Sequence, residues 1–168
     1  RIPDYIEVDE EHIVTSNGIR NFKSFPKQMV ILGAGVTGCE FATIFSLYAK
    51  TRVNLIDKAD RILPNEDQDV ALEVQKNLRA HGATIHHGAK LNYMKAVDGK
   101  VEYSLSVEHK EPEVYTVDKA LISIGREPLT EGLHPENAGI RLKPGGGIWQ
   151  EDTQTNIPHI YVDRKSTR

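Results

Sequence analysis

The sequence is short of most features that hold a chain together without a packed core. It has one cysteine, Cys39, so no internal disulfide can form, and a reducing, cytoplasmic setting is the expected one. No apolar run approaches the roughly 18 residues of a membrane span, and no signal peptide is visible at the start. Neither sign of charge dominates: 21 basic and 24 acidic side chains leave a net charge of −3, which gives no electrostatic basis for binding nucleic acid or a membrane surface. The first residue is Arg1, not methionine, and the expectation is that something upstream has been removed.

What is present suits an ordinary globular domain. The chain has 168 residues, 39% of them hydrophobic, and a domain of about 150 residues buries roughly 68–70% of its unfolded surface. Residues 1–27 read as a polar, irregular lead-in closed by Phe25-Pro26-Lys27, because the residue before a proline avoids the helical region. Met29–Leu32 is a continuous apolar run, the pattern of a strand buried on both faces. Phe41, Ile44, Phe45 and Tyr48 then recur at helical spacing and predict a helix from Val36 to Lys50. Arg52–Asp57 reads as the next strand, Asp67–Ala80 as a second helix carrying Val70, Val74 and Leu78 and stopping near His81-Gly82, and Ala83–His87 as a third strand.

Beyond residue 90 the pattern changes to short β-prone runs, 91–97, 101–107 and 113–117, separated by Asp98-Gly99 and by His109-Lys110-Glu111-Pro112. That is the signature of an antiparallel meander. Ala120–Ile124 returns to a buried strand, and Pro144-Gly145-Gly146-Gly147 predicts a flexible loop. The predicted fold is α/β: a Rossmann-like βαβ parallel sheet with a three-stranded antiparallel β-meander, in a single domain.

The chemistry concentrates in MVILGAGVTGCEF, residues 29–41. Glycine costs roughly 0.5–1 kcal/mol relative to alanine inside regular structure, so Gly33, Gly35 and Gly38 call for a physical reason. A G-x-G-x-x-G pattern by itself fits any tight αβ turn. Here it follows a predicted strand and opens a predicted helix, and Asp57 ends the next strand 19 residues after Gly38. This is the arrangement that holds a dinucleotide: Gly33 permits the turn, Gly35 clears space for a pyrophosphate, Gly38 lets the helix pack close, and the acid grips the adenosine ribose. A carboxylate there repels a 2′-phosphate, which favours NAD(H) over NADP(H). Lys58 and Arg61 leave NADP(H) possible, although basic residues in such a loop are as readily solvated.

Four stretches in order, GAGVTGCEFA, LIDKADRILP, ALISIGREP and TNIPHIYV, resemble the NAD(P)-binding domain of the FAD-dependent pyridine nucleotide-disulfide oxidoreductases, nearest the dihydrolipoamide dehydrogenase and soluble transhydrogenase branches. The resemblance implies that Glu40 lies near the nicotinamide carboxamide and that Gly125 and Arg126 form the turn after the last core strand, close to the nicotinamide and the flavin domain. It also implies that the backbone at Val36 and Thr37 meets the pyrophosphate and that Lys58 lies beside the ribose. By itself Glu40 would be an ordinary first-turn acid, and Arg126 a solvated arginine.

The departures from the family are as informative. The family's C-x4-C redox pair and its catalytic His-Glu pair have no counterpart here, so no catalytic residue is expected in this chain. Cys39 reads as a buried small residue, and His86-His87 as strand residues with no second cluster at metal-ligand spacing. Arg1-Ile2-Pro3 and TNIPHIY resemble the two junctions with a flavin domain, while residues 162–168 depart from the family as a divergent tail. The segmentation expected is therefore a lead-in (1–27), an NAD(P)-binding domain (28–161) and the tail. The implied partners are NAD(H) and the flavin and dimerisation domains of a homodimeric parent, whose FAD this chain is not expected to carry. Two other classes remain open, a nucleotide-binding or sensing module without catalysis and an S-adenosylmethionine-dependent methyltransferase. The parent's electron acceptor is open as well, among lipoamide, a glutathione-like disulfide, mercuric ion and another nicotinamide.

Overall fold

The computed structural model describes residues 1–107 and 110–163. His109 of the expected meander turn and the last five residues of the tail lie outside them. Two compact units are present, Arg1–Gly125 and Arg126–Arg168.

The first unit is built on a five-stranded sheet. Its strands are β1 (Ile13–Val14), β2 (Gln28–Leu32), β3 (Arg52–Ile56), β4 (Thr84–His86) and, numbered in chain order after the meander, β8 (Lys119–Ile122). The order across the sheet is β1-β8-β2-β3-β4, and every pairing is parallel, with Leu32 opposite both Ile56 and Ile122. The helices α1 (Val36–Thr43) and α2 (Gln68–Ala80) connect β2 to β3 and β3 to β4. A separate antiparallel sheet is formed by β5 (Ala89–Val97), β6 (Lys100–Val107) and β7 (Glu113–Val117), with an irregularity between Leu91 and Tyr93.

The run at Met29–Leu32 is continuous because both faces of β2 are covered. Met29 and Ile31 pack with Ala42, Phe45, Ala71 and Leu78 on the helical side. Val30 and Leu32 pack with Leu91, Met94, Tyr103 and Leu105 of the meander. Val30 and Ile31 have no exposed surface, and full burial of such side chains stabilises by about 1.5–3 kcal/mol each. Asn54 of β3 donates its amide to the Tyr103 hydroxyl at 2.9 Å, giving the buried phenol a partner across the two sheets. No helix among the described residues is long and apolar enough to cross a membrane.

The predicted parallel sheet and three-stranded meander are both present, and three details differ from expectation. The lead-in is not wholly irregular, since Ile13 and Val14 are fully buried and pair with Ala120 and Leu121. The Asp9 carboxylate prepares this strand by accepting the backbone N–H groups of Glu11, His12 and Ile13. The helix expected to run to Lys50 is α-helical only to Thr43 and then widens to a π turn over Ile44–Tyr48. The Thr43 hydroxyl donates to the Cys39 carbonyl at 2.9 Å, competing for a ladder acceptor. The wider turn seats Phe45 among the rings of Phe22, Phe25 and Phe41, with centroids 6.0–6.5 Å away. Ile44 and Tyr48, two of the residues that carried the helical spacing, are exposed. In α2, Ala71, Val74 and Leu78 face the core while Val70 is exposed, because the helix presents its i, i+3, i+7 positions rather than the four-residue spacing read from sequence.

Among its described residues the second unit has a short 3-10 turn, Pro135–Ala138, and isolated bridges such as Leu142 with Ile148. The Pro144–Gly147 stretch is the loop between that pair, with Gly145 and Gly146 at positive φ and the Lys143 N–H bonded to the Gly147 carbonyl at 2.6 Å. The Arg141 guanidinium lies over the Trp149 ring, 4.8 Å from its centroid.

Candidate functional site

The three glycines follow β2 directly, and the structure gives each a different reason to be there. Gly33 has φ +103, and a Cβ on it would lie 2.5 Å from the Ser123 carbonyl oxygen. Its N–H bonds to the Ile56 carbonyl at 2.8 Å, fastening the turn to the end of β3. A Cβ on Gly38 would lie 1.8 Å from the Gly33 carbonyl oxygen, so the first turn of α1 sits directly against the turn that launches it. Both positions demand glycine for folding.

Gly35 does not. Its backbone, φ −74 and ψ −171, is extended and open to any residue, and a Cβ there would meet nothing within 4 Å. Among the described residues it is the one glycine with neither a positive φ nor a neighbouring atom that close. Open space therefore lies over the turn where the helix begins.

The donors at that helix start are backbone groups. The Cys39 N–H bonds to the Gly35 carbonyl at 3.0 Å. The N–H groups of Val36, Thr37 and Gly38 come before it and have no carbonyl one turn earlier to use. Val36 is exposed and Thr37 half-buried. The partial positive end of the helix dipole falls at the same place.

Asp57, half-buried at the end of β3, joins the edges of three strands. One carboxylate oxygen accepts the Ala34 N–H at 2.6 Å and the other accepts the Ala59 N–H at 2.9 Å. Its own N–H goes to the His86 carbonyl, and its carbonyl receives the Ala89 N–H. A carboxylate offers about four lone-pair sites, so roughly two remain for a ligand. Lys58 beside it is exposed. Arg61, read as a solvated loop residue that could permit some NADP(H) use, is half-buried with its guanidinium turned to backbone carbonyls. It donates to the carbonyls of Leu63 at 3.1 Å, Pro64 at 2.7 Å and Glu66 at 3.0 Å.

The remaining expected residues are placed as follows. Glu40 is exposed on α1. Gly125 has φ +117 and closes the first unit, and Arg126, exposed, begins the second. Cys39 lies beneath the turn with its thiol donating to the Ala34 carbonyl at 3.4 Å. Burial, reinforced by the charges of Asp57 and Glu40, pushes this thiol up to about 12, so it is no nucleophile near neutral pH. His86 Nε2 and His87 Nδ1 are buried without a hydrogen-bond partner among the described residues. Burial lowers both imidazole pKa values and keeps the rings neutral. No group of three or more His, Cys, Asp or Glu among the described residues is placed to hold a metal ion. A cavity of about 120 Å³ lined by His86, Leu105, Glu113 and Tyr115 shares none of the glycine-turn residues.

Two contributors, Ser123 and the Leu63 N–H, escaped the sequence reading, and Arg61 was named there without its carbonyl contacts. Ser123 donates its hydroxyl toward the carbonyls of Leu32 at 2.9 Å and Gly33 at 3.0 Å, the Leu63 N–H bonds to the Ala34 carbonyl at 2.8 Å, and Arg61 holds the Leu63 loop. Only Ser123 carries a signal in sequence, as a polar residue ending an apolar strand just before Gly125.

A parallel sheet that feeds a glycine turn into a helix at its carboxyl edge, with an acid at the end of the adjacent strand, is an α/β unit of the Rossmann class. Residues 3–162 match the family model described as pyridine nucleotide-disulphide oxidoreductase, and the chain belongs to that family. It is 34% identical over 154 residues to a dihydrolipoyl dehydrogenase of Bacillus subtilis, covering 92% of this chain and 33% of the relative. It is 31% identical over 161 residues to a soluble pyridine nucleotide transhydrogenase of Mycobacterium tuberculosis, covering 95% and 33%. Among solved structures, the HOCl-induced flavoprotein disulfide reductase of Escherichia coli superposes with a TM-score of 0.81 at 31% identity, over 96% of this chain and 36% of that one. The chain thus spans about a third of the length of these relatives.

Proposed function

We propose that this chain is the NAD(H)-binding domain of a flavin-dependent oxidoreductase, presenting the nicotinamide for hydride transfer to or from an FAD carried elsewhere in a larger, dimeric parent. Gly35 carries the reading. Neither its conformation nor its packing calls for glycine, and the space it leaves open stands over a helix start, where an anion is favoured. Family membership points the same way and disfavours the methyltransferase alternative.

The chain's own residues then bind and orient. The N–H groups of Val36 and Thr37 hold the pyrophosphate, and Asp57, with lone pairs left over from Ala34 and Ala59, accepts the ribose hydroxyls. Glu40 and the turn at Gly125 position the carboxamide end. With Arg61 committed to loop carbonyls, Lys58 is the basic side chain of this loop left to meet a 2′-phosphate, which favours NAD(H). Once bound, the nicotinamide supplies the hydride chemistry, and the protein contributes placement and electrostatics.

Calorimetric titration of the purified chain with NADH tests the reading, together with a visible spectrum and a diaphorase assay. Saturable NADH binding without flavin or turnover is expected. Absence of NADH binding, or a stoichiometric flavin spectrum, overturns it.

A further inference from the structure

We propose that Arg61 is a positioning residue for the dinucleotide: by clamping the 63–66 loop it fixes the glycine turn that receives the pyrophosphate, without touching the ligand itself. The inference rests on the NAD(H) reading above.

The clamp is visible bond by bond. The guanidinium donates through Nη1 to Leu63 and through Nη2 to Pro64 and Glu66. These three carbonyls converge because Leu63 is left-handed, φ +47, a conformation unfavourable for a residue with a side chain. A further bond from the Glu66 N–H to the Leu63 carbonyl, at 3.0 Å, closes the loop. Backbone held off its preferred conformation persists only where its surroundings enforce it, and Arg61 supplies three of those restraints.

The loop is joined to the turn by one bond, from the Leu63 N–H to the Ala34 carbonyl at 2.8 Å. Ala34 lies between Gly33 and Gly35, and its N–H is held by Asp57 at 2.6 Å. Both polar groups of this residue are therefore fixed from outside the turn, one by Asp57 and one by the Arg61 loop. The peptide planes on either side of Ala34 set the direction of the backbone donors at the start of α1. Without Arg61, the Pro64 and Glu66 carbonyls return to water, the Leu63 carbonyl keeps only the Glu66 N–H, Leu63 relaxes, and its N–H leaves Ala34. This chain of bonds meets Asp57 at the Ala34 N–H, but Asp57 is also anchored by the Ala59 N–H, the His86 carbonyl and the Ala89 N–H, so the adenosine side keeps its position when the Arg61 loop is released. A planar fork spans three carbonyls in a way a single ammonium does not, so the role depends on shape more than on charge.

The test compares wild type, Arg61→Ala and Arg61→Lys for binding of NADH and ADP-ribose by calorimetry and of adenosine by ligand-observed NMR, with circular dichroism on the same samples. The expected result is wild-type binding of all three ligands. Both variants then lose about tenfold in affinity for the two pyrophosphate ligands while adenosine changes less than about threefold. Wild-type affinity in Arg61→Ala overturns the proposal. So does full affinity in Arg61→Lys beside a loss in Arg61→Ala, which would indicate charge acting at a distance, and so does an equal loss for NADH and adenosine. If Arg61→Ala does not fold, Arg61→Gln takes its place in the same comparison. Failure of wild type to bind NADH overturns the functional reading first, and is distinguished from failure of this inference by occurring without any substitution.

Discussion

Gly35→Ala separates a residue kept for the fold from one kept for a ligand. The added methyl meets no atom within 4 Å and the backbone is already in an ordinary extended conformation. Stiffening the unfolded chain stabilises by about 0.4–1 kcal/mol, while alanine is a poorer helix cap than glycine by roughly half a kcal/mol. The two nearly offset, and at about 2–4 °C per kcal/mol for a chain of this size Tm should move by no more than about 2 °C. Gly38→Ala is the control, because its Cβ would sit 1.8 Å from the Gly33 carbonyl oxygen and turn and helix would have to part. Overpacking of that kind costs about 1–3 kcal/mol, a fall in Tm of roughly 2–12 °C. Under the proposed NAD(H) reading, the methyl on residue 35 occupies the place of the pyrophosphate. Loss of charge-assisted N–H contacts and of the helix-dipole interaction, together about 3 kcal/mol, weakens NADH on the order of 100-fold. Differential scanning calorimetry and NADH titration on the same preparations read both quantities. A Gly35→Ala protein that binds NADH within about threefold of wild type refutes the reasoning.

The other predictions concern charge and protonation. Asp57→Ala should weaken NADH by about 10–100-fold, the scale of one or two hydrogen bonds to a charged group, and narrow any preference over NADPH; unchanged affinity by calorimetry removes Asp57 from the site. Stability should be full above about pH 6.5 and fall as the pH drops below it, since burial lowers the pKa of His86 and His87 in the fold and the unfolded chain takes up protons first. The charges beside them are Glu113 and Lys110 for His86, and Arg79, Asp57 and Asp60 for His87. This window precedes that of Asp9 and Asp118, whose pKa values lie below the ordinary 3.8. A plot of Tm against pH should flatten just below about pH 6.5 in the His86→Gln, His87→Gln double variant, and an unaltered slope rejects the assignment. Cys39, with its thiol pushed up to about 12 by burial, should be about one part in ten thousand thiolate at pH 8 and should react with a thiol reagent only after denaturation; rapid labelling of the native chain contradicts its placement.

What could be read from sequence was local. The β2–turn–α1 passage carries its own evidence, because strand pattern, glycine spacing and helix pattern fall within a few residues of one another, and Asp57 follows at a characteristic distance. The meander was legible for the same reason, through alternation broken by turn residues. The strand at Ile13–Val14 was not, since two residues have no period and their partners, Ala120 and Leu121, lie over a hundred residues away. The carbonyl contacts of Arg61 were not legible, because the three carbonyls it binds come together only once Leu63 is left-handed and its N–H has found Ala34. The early widening of α1 follows from aromatic packing around Phe45, which helical spacing does not report.

The order of the strands also bears on how the molecule is made. β8, the last strand of the sheet to be synthesised, is inserted between β1 and β2. At about 5–20 residues per second, the 90 residues separating Leu32 from Ile122 leave β2 without one neighbour for roughly 5–18 s on the ribosome. During that interval the bare backbone edge of Gln28–Leu32, flanked by some of the most apolar side chains in the protein, is open to pairing with another nascent chain. Chaperone capture and yield should therefore depend on how soon Lys119–Ile122 arrives, and insertions lengthening the meander should lower soluble expression even where they leave the finished fold intact.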